Sequence, residues 1–333
     1  MKAYIINQYG KKQQLKLSLA KKPSIKDTDI LVEIHATALN LLDSKIKNGE
    51  FKVLLPYKMP LVLGHDLAGV VVETGKMVTK FKVGDEVYAR PADFSIGTFA
   101  EFIAFDQADA ALKPKNITME EAAAIPLVGL TVWQAFFEKA NLKKGQKVFI
   151  QAGSGGVGTF AIQLAKHLGL KTATTTSRKN VDLVKSLGAD VVVDYKTQDF
   201  ENELKDYDYV LNSQDNKTLL KSINILKPKG QLVSISGPPT AEFAKEMGFS
   251  WMMKFIFSML SGKIRKKSKQ RNIHYSFLFM KASGTQLEEI TKLIESGAIR
   301  PIVDKIYPFD QAQEALEYLE SGRAKGKVVL KIK

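Results

Sequence analysis

One stretch narrows the folding options of this chain more than any other: the run from Val148 to Gly158, VFIQAGSGGVG. A β-branched apolar segment enters Gly153-x-Gly155-x-x-Gly158, and the residues from Thr159 to Leu168 read as a long helix. Alone, a GxGxxG triplet is weak evidence. Between a strand and a helix it specifies the turn that cradles a dinucleotide diphosphate. Gly153 is expected in the tight turn, Gly155 where the diphosphate approaches the backbone, and Gly158 where the helix packs on the strand. Ser154, Gly156 and Val157 complete a loop whose free N–H groups and helix dipole favour an anion. The alternative phosphate loop, GxxxxGK[ST], is not matched, because no Lys precedes Thr159.

The pattern on either side of this loop differs. Before it, short alternating segments punctuated by glycine read as strands: Lys2 to Asn7, Ile30 to Ala38, Leu67 to Thr74, Glu86 to Ala89 and Gly97 to Ala104. Such a series predicts a partly closed β-barrel. Thr118 and Glu121 form a capping box for a short helix over 120–124, and a second helix is expected over 130–140. Strands are then expected at 147–152, 171–176, 190–194, 208–212, 230–235 and 273–279, with helices between them. That alternation predicts a parallel sheet covered on both faces. A late helix over 287–296 and a last strand over 328–331 complete the reading.

At 333 residues the chain has room for two domains. It contains no Cys, which excludes disulfides, a Cys nucleophile and a Cys-ligated zinc, and fits a reducing cytoplasm. No apolar run has the length of a membrane span. The net charge of +14 comes from lysines spread along the chain, except for one dense run from Lys263 to Arg271, KIRKKSKQR. Such a run is expected to be a solvated loop, with contact to nucleic acid or a membrane surface as its functional alternative.

A carboxylate about 20 residues beyond the glycine loop would hold the ribose hydroxyls of NAD. Here the second strand ends in TTTSRKN, and Ser177, Arg178 and Lys179 offer a hydroxyl and two cations instead. That set suits a 2′-phosphate, so NADPH is the expected cofactor.

Motifs along the whole length resemble the medium-chain dehydrogenase/reductase superfamily in its zinc-free quinone-oxidoreductase branch. They include ALNLLD from Ala38, PLVLGHDLAGVV from Pro60, VGDEV from Val83, AAAIPLVGLT from Ala122, the AGSGGVG loop, LGAD from Leu187, and GKVV from Gly326. The resemblance implies a Rossmann doubly wound sheet over 123–280, and a GroES-like, partly open β-barrel over 1–122 and 281–333. It implies 2′-phosphate contacts from Ser177, Arg178 and Tyr195. It puts Asn40 and Thr131 by the nicotinamide, and backbone contacts to the carboxamide near Ile235, Ser236, Phe277 and Phe279. Arg323 or Lys327 would reach the cofactor phosphates. Relatives are commonly homodimers. The zinc-dependent members place metal-binding Cys residues where this chain has Asn40 and a position near Leu127. His65, with Asp66 beside it, is too small a set for a catalytic zinc, so no metal is expected.

The implied reaction is hydride transfer from NADPH to a quinone or an α,β-unsaturated carbonyl, with Asn40 as the candidate group polarising the acceptor. The alternative is a nucleotide- or RNA-binding protein of the same fold with little turnover. Two segments, 45–57 and 243–260, are candidate walls for an apolar substrate. The second is rich in Phe and Met at helical spacing, which also suits plain core packing.

Overall fold

Residues 1–333 are described by a computed structural model. Strands dominate the beginning of the chain: β1 (Lys2–Ile6), β2 (Lys16–Leu19), β3 (Asp29–Leu39), then helix α1 (Leu41–Lys47), β4 (Leu61–Val62), β5 (Leu67–Thr74), β6 (Glu86–Ala89), β7 (Phe102–Asp106) and β8 (Ala110–Leu112). Helices α2 (Met119–Ala123) and α3 (Pro126–Trp133) follow. Next come β9 (Lys147–Ile150), α4 (Gly156–His167), β10 (Lys171–Thr176), α5 (Val181–Leu187), β11 (Val191–Asp194), α6 (Phe200–Glu203), β12 (Tyr207–Asn212), α7 (Asn216–Ile225) and β13 (Leu226–Ser234). Three helices, α8 (Ala241–Glu246), α9 (Trp251–Leu260) and α10 (Gly262–Gln270), precede β14 (His274–Phe277). The last elements are α11 (Gly284–Glu295), β15 (Val303–Pro308), α12 (Ala312–Glu320) and β16 (Lys327–Lys331).

These elements form two units, Met1–Leu130 with Lys281–Lys333, and Thr131–Met280. The first crossing between them falls inside α3, and the second falls at 280/281. No helix is long and apolar enough to cross a membrane.

The second unit is a six-stranded sheet in the order β11-β10-β9-β12-β13-β14. Every pairing in it is parallel. Strand order reverses between β9 and β12, so the crevice beyond the C-terminal ends of these two strands is where such a sheet binds ligand. The sheet is held by apolar side chains that its strands and helices bury together, among them Phe149, Val210, Leu219, Ile223 and Leu232. Strands buried on both faces show apolar runs rather than alternation, as VFI in β9 and YVL in β12 do.

The first unit is built around β3, whose eleven residues are nearly all buried. β5 runs antiparallel along it from Ile30 to Ala36. β7 pairs with residues 29–33, and β16 with residues 36–39. Register shifts between Leu31 and Val32 and between Ile34 and Ala36 bend β3 where its partners change. Ile30, Val32, Ile34, Leu67, Val71, Val87 and Phe105 form the core beneath. A separate three-stranded sheet runs β2-β1-β4.

Several local expectations need correction. The strand expected from Gly97 begins only at Phe102, after a single bridge between Ala3 and Ala100. The helix expected over 130–140 starts earlier, at Pro126, and its last turns, Gln134–Ala140, are π-wound. The basic run is no loop. It forms α10, which buries Ile264 and Ser268 and so anchors on the second unit's core. The apolar segment 243–260 is only partly core. Phe243 and Phe257 are buried and stack at 6.2 Å, whereas most of α9 is exposed.

Candidate active site

The glycine loop forms as its spacing demands, with one change of roles. The left-handed residue of the turn is Ala152, at φ +51°, and not Gly153. Gly153 is required for a different reason: a Cβ there would lie 2.2 Å from Thr174 Oγ1 on the neighbouring strand. A Cβ on Gly158 would lie 2.3 Å from the Ala152 carbonyl oxygen, so this glycine lets α4 sit close to β9. Gly155 is the exception. Its Cβ would meet only the Ala152 carbonyl, at 3.4 Å, and otherwise faces open space. That space lies at the start of α4, whose N-cap is Gly155 itself, with no side chain capping the first N–H groups. Those donors and the positive end of a twelve-residue helix are open to an anion. Ser154 Oγ accepts from Thr176 Oγ1 at 2.9 Å and from Asn180 Nδ2 at 3.2 Å, which fixes its place beside Gly156 and Val157.

β10 and β11 pair in parallel through Thr176 and Asp194. Ser177 and Tyr195, one residue beyond each, therefore emerge side by side at the C-terminal edge of the sheet. The Tyr195 N–H donates to the Thr176 carbonyl at 3.3 Å. Tyr195 is 60% exposed, and Arg178 and Lys179 are exposed too, with no carboxylate paired to any of them. The chain thus gathers a hydroxyl, a phenol and two cations on one rim.

On the other side of the strand reversal, Ile235 and Ser236 follow β13. The Ile235 N–H donates to the Asn212 carbonyl, and Ser236 Oγ donates to the Gln214 carbonyl at 2.6 Å. Asn212 ends β12. It is fully buried, donates to Gln151 Oε1 at 2.7 Å and accepts from Ser234 Oγ at 2.6 Å. Its amide is a strut between the ends of β9, β12 and β13. Phe277 is buried at the end of β14, and its ring meets Phe243 edge-on at 5.0 Å; Phe279 lies 6.0 Å from the same ring. The Phe277 ring packs into the second unit, which leaves its backbone to a ligand, and Phe279 is half-buried beside it. Thr131 is buried in α3.

The first unit holds a second polar centre, reached from three directions. Asn40 follows β3, Asp66 precedes β5 and Lys327 begins β16. All three are buried. Lys327 Nζ donates to Asn40 Oδ1 at 2.5 Å and to Asp66 Oδ2 at 3.1 Å. Asn40 Nδ2 donates to Asp66 Oδ2 at 2.9 Å and to the Ala38 carbonyl at 3.3 Å. Asp66 Oδ1 accepts the Leu127 N–H at 2.7 Å. Asp43 extends the network, taking the Asn40 N–H on one oxygen and His65 Nδ1 on the other. His65 Nε2 is buried without a partner. Both Asn40 amide hydrogens are therefore committed inside the protein. The ammonium of Lys327 uses two of its three hydrogens and keeps one. Arg323 is exposed beyond α12 in the same unit.

Comparison with known proteins agrees with this architecture. Residues 26–115 match the alcohol dehydrogenase GroES-like domain, and residues 187–330 match a domain described as zinc-binding dehydrogenase. The mitochondrial NAD(P)H oxidoreductase RTN4IP1 of Danio rerio is 33% identical, covering 100% of this chain and 91% of that protein. The chain belongs to the medium-chain dehydrogenase/reductase superfamily. Within that superfamily it is also similar to 2-methylene-furan-3-one reductase of Solanum lycopersicum, at 36% identity over 99% of this chain and 79% of the reductase. The structure of Escherichia coli quinone oxidoreductase complexed with NADPH superposes with a TM-score of 0.82, at 26% identity and full coverage of both chains.

The zinc implied by the name of the second domain does not fit the residues present. No group of three or more His, Asp or Glu side chains is arranged to hold a metal. The positions that carry metal-binding Cys in zinc-dependent members of the superfamily hold Asn40 and, near Leu127, no donor side chain. Asn40 is instead bonded to the ammonium of Lys327, a cation already paired to Asp66. The resemblance offers Arg323 or Lys327 to the cofactor phosphates; in the structure the Lys327 ammonium is bonded to Asn40 and Asp66. Its signal was faint, because one Lys near the start of a strand looks like any surface cation.

Proposed function

We propose that this chain is an NADPH-dependent oxidoreductase that passes hydride to quinones or α,β-unsaturated carbonyls without zinc. The observation that carries the reading is the uncapped start of α4 behind an open Gly155, flanked by Ser177, Arg178 and Tyr195 rather than by a carboxylate. The relatives named as NAD(P)H, furanone and quinone oxidoreductases support it.

In this reading the N–H groups of Gly156, Val157 and Gly158 hold the diphosphate. Arg178 would hold the 2′-phosphate, with Ser177 and Tyr195 beside it. Bound NADPH would supply the hydride. Backbone groups near Ile235, Ser236, Phe277 and Phe279 position the carboxamide, Thr131 the ring, and Arg323 the phosphates. Reduction of a quinone or enone builds negative charge on the acceptor oxygen. We assign that charge to the remaining hydrogen of Lys327, whose ammonium is paired to Asp66. Asn40 becomes a positioning residue, holding the ammonium through its Oδ1. A cytoplasmic homodimer is the form we expect of the enzyme, on the absence of Cys and the habit of the family.

The test is NADPH absorbance with 1,4-benzoquinone, with an alkenal, and in reverse with a simple alcohol and NADP⁺. Oxidation with the first two alone supports the proposal. Binding of NADPH without oxidation by any acceptor would make the chain a nucleotide-binding protein instead.

A further inference from the structure

The least explained surface of the second unit is α9. Six of its ten residues, Trp251, Met252, Phe255, Ile256, Met259 and Leu260, are exposed, and Trp251 is 80% so. A monomer rarely shows so much contiguous apolar side chain to water without a use for it.

α10 follows α9 across one residue, Ser261. The Ser261 N–H donates to the Phe257 carbonyl and closes α9, and the Ser261 carbonyl accepts the Arg265 N–H and opens α10. Burial follows the same path: Phe257, Ser261, Ile264 and Ser268 form one inward stripe at spacings of four, three and four. The outward residues of the two helices lie opposite this stripe. They are Met252, Phe255 and Met259, and then Lys263, Lys266 and Gln270, all exposed. One surface is thus apolar at its first end and cationic at its second. Arg265, Lys267 and Arg271 donate only to neutral oxygens, those of Ser258, Leu220 and Asn224. No Asp or Glu occurs anywhere between Glu246 and Glu288.

We propose that the α9–α10 face docks the protein on an anionic membrane surface. Apolar side chains of α9 enter the acyl boundary, and the lysines of α10 meet lipid phosphates. A second copy of the chain fits this face less well. An isologous contact would bring two cationic helices together, with no carboxylate on either helix to offset them. The inference is independent of the enzymatic reading, since it is read by binding alone.

The experiment is flotation of the full-length protein with vesicles of phosphatidylcholine, with and without about one-third phosphatidylglycerol. Trp251 emission is followed in a W133F background, where it is the sole tryptophan. Expected results are flotation on the anionic vesicles only, weakening with salt, and a blue shift of Trp251. Phe255→Ser with Met259→Ser abolishes flotation. Lys263→Glu with Lys266→Glu weakens it at least about tenfold, since each lysine near an anionic surface is worth about fivefold. Both variants keep the wild-type circular dichroism and NADPH binding. Equal flotation on neutral vesicles, none on either, or unchanged binding by the apolar variant would overturn the proposal. So would loss of a dimer in sedimentation velocity, or salt-sensitive RNA retention lost in the lysine variant, where vesicles do not bind.

Discussion

Replacing Lys327 by Met tests both halves of the site chemistry, because stability and turnover are expected to part company. In the native protein Asp66 is fully buried, and its charge is met by Lys327 Nζ, Asn40 Nδ2 and the Leu127 N–H. Lys327→Met removes the only cation of that set and leaves the carboxylate without a counter-charge. Breaking a buried pair from one side costs about 3–5 kcal/mol. The urea midpoint is therefore expected to fall by that equivalent. Adding Asp66→Asn removes the stranded charge. With the Asn40 amide turned over, its Oδ1 accepts from the new amide at 66. Neutral replacement of both partners is close to free, so the double variant should return to within about 1–2 kcal/mol of wild type. Turnover should not return. Loss of one pre-organised donor to a developing oxyanion costs about 10²–10³ in kcat, and neither variant restores it. Affinity for NADPH should stay within about twofold, because the loop that holds the diphosphate is in the other unit. Urea unfolding, calorimetric NADPH binding and stopped-flow oxidation by benzoquinone measure the three quantities. A double variant that recovers full kcat along with stability would refute the assignment and make Lys327 a structural ion alone.

Four further outcomes follow from geometry already described. Arg178→Ala should cut the ratio of NADPH to NADH in kcat/KM by about 10–100-fold, mostly through KM, as expected for loss of a charge-assisted contact. Gly155→Ala should fold normally and bind NADPH poorly, because its Cβ meets little protein but enters the ligand's space; Gly158→Ala should unfold earlier in urea, because its Cβ strikes backbone. Ala152→Gly should raise stability by up to about 1 kcal/mol, since a left-handed φ suits glycine better, with NADPH affinity unchanged. Prolonged dialysis against a chelator should leave quinone reduction intact, as measured by NADPH absorbance before and after.

The parts of this molecule that could be read from residues alone are those where one side of the chain meets the core with a fixed period. The glycine loop, the capping box at Thr118 and the buried runs of β9, β10 and β12 are local, and local physics decides them. β2 and β15 are not legible, because both are edge strands with no fully buried side chain to mark an inward face. α12 buries only Ala312, Ala315 and Leu316, too small a stripe to stand out. The basic helix reads as loop in the sequence because its two buried residues, Ile264 and Ser268, are swamped by lysines. At the candidate site, the residues of the dinucleotide loop follow one another in sequence, and their arrangement could be foreseen. The cluster at Asn40 could not, since its cation arrives from a strand 287 residues away.

That separation governs how the protein is made. β3 is among the first strands to leave the ribosome, yet one of its edges is completed only by β16, after the whole nucleotide unit has been synthesised. During that interval a nascent chain carries an unpaired strand edge and an aspartate lacking its cation. Such a chain invites chaperone binding or strand exchange with a neighbour. A peptide spanning β16, added in trans to a chain stopped before it, is the missing piece from which the barrel and its charge balance could be restored together.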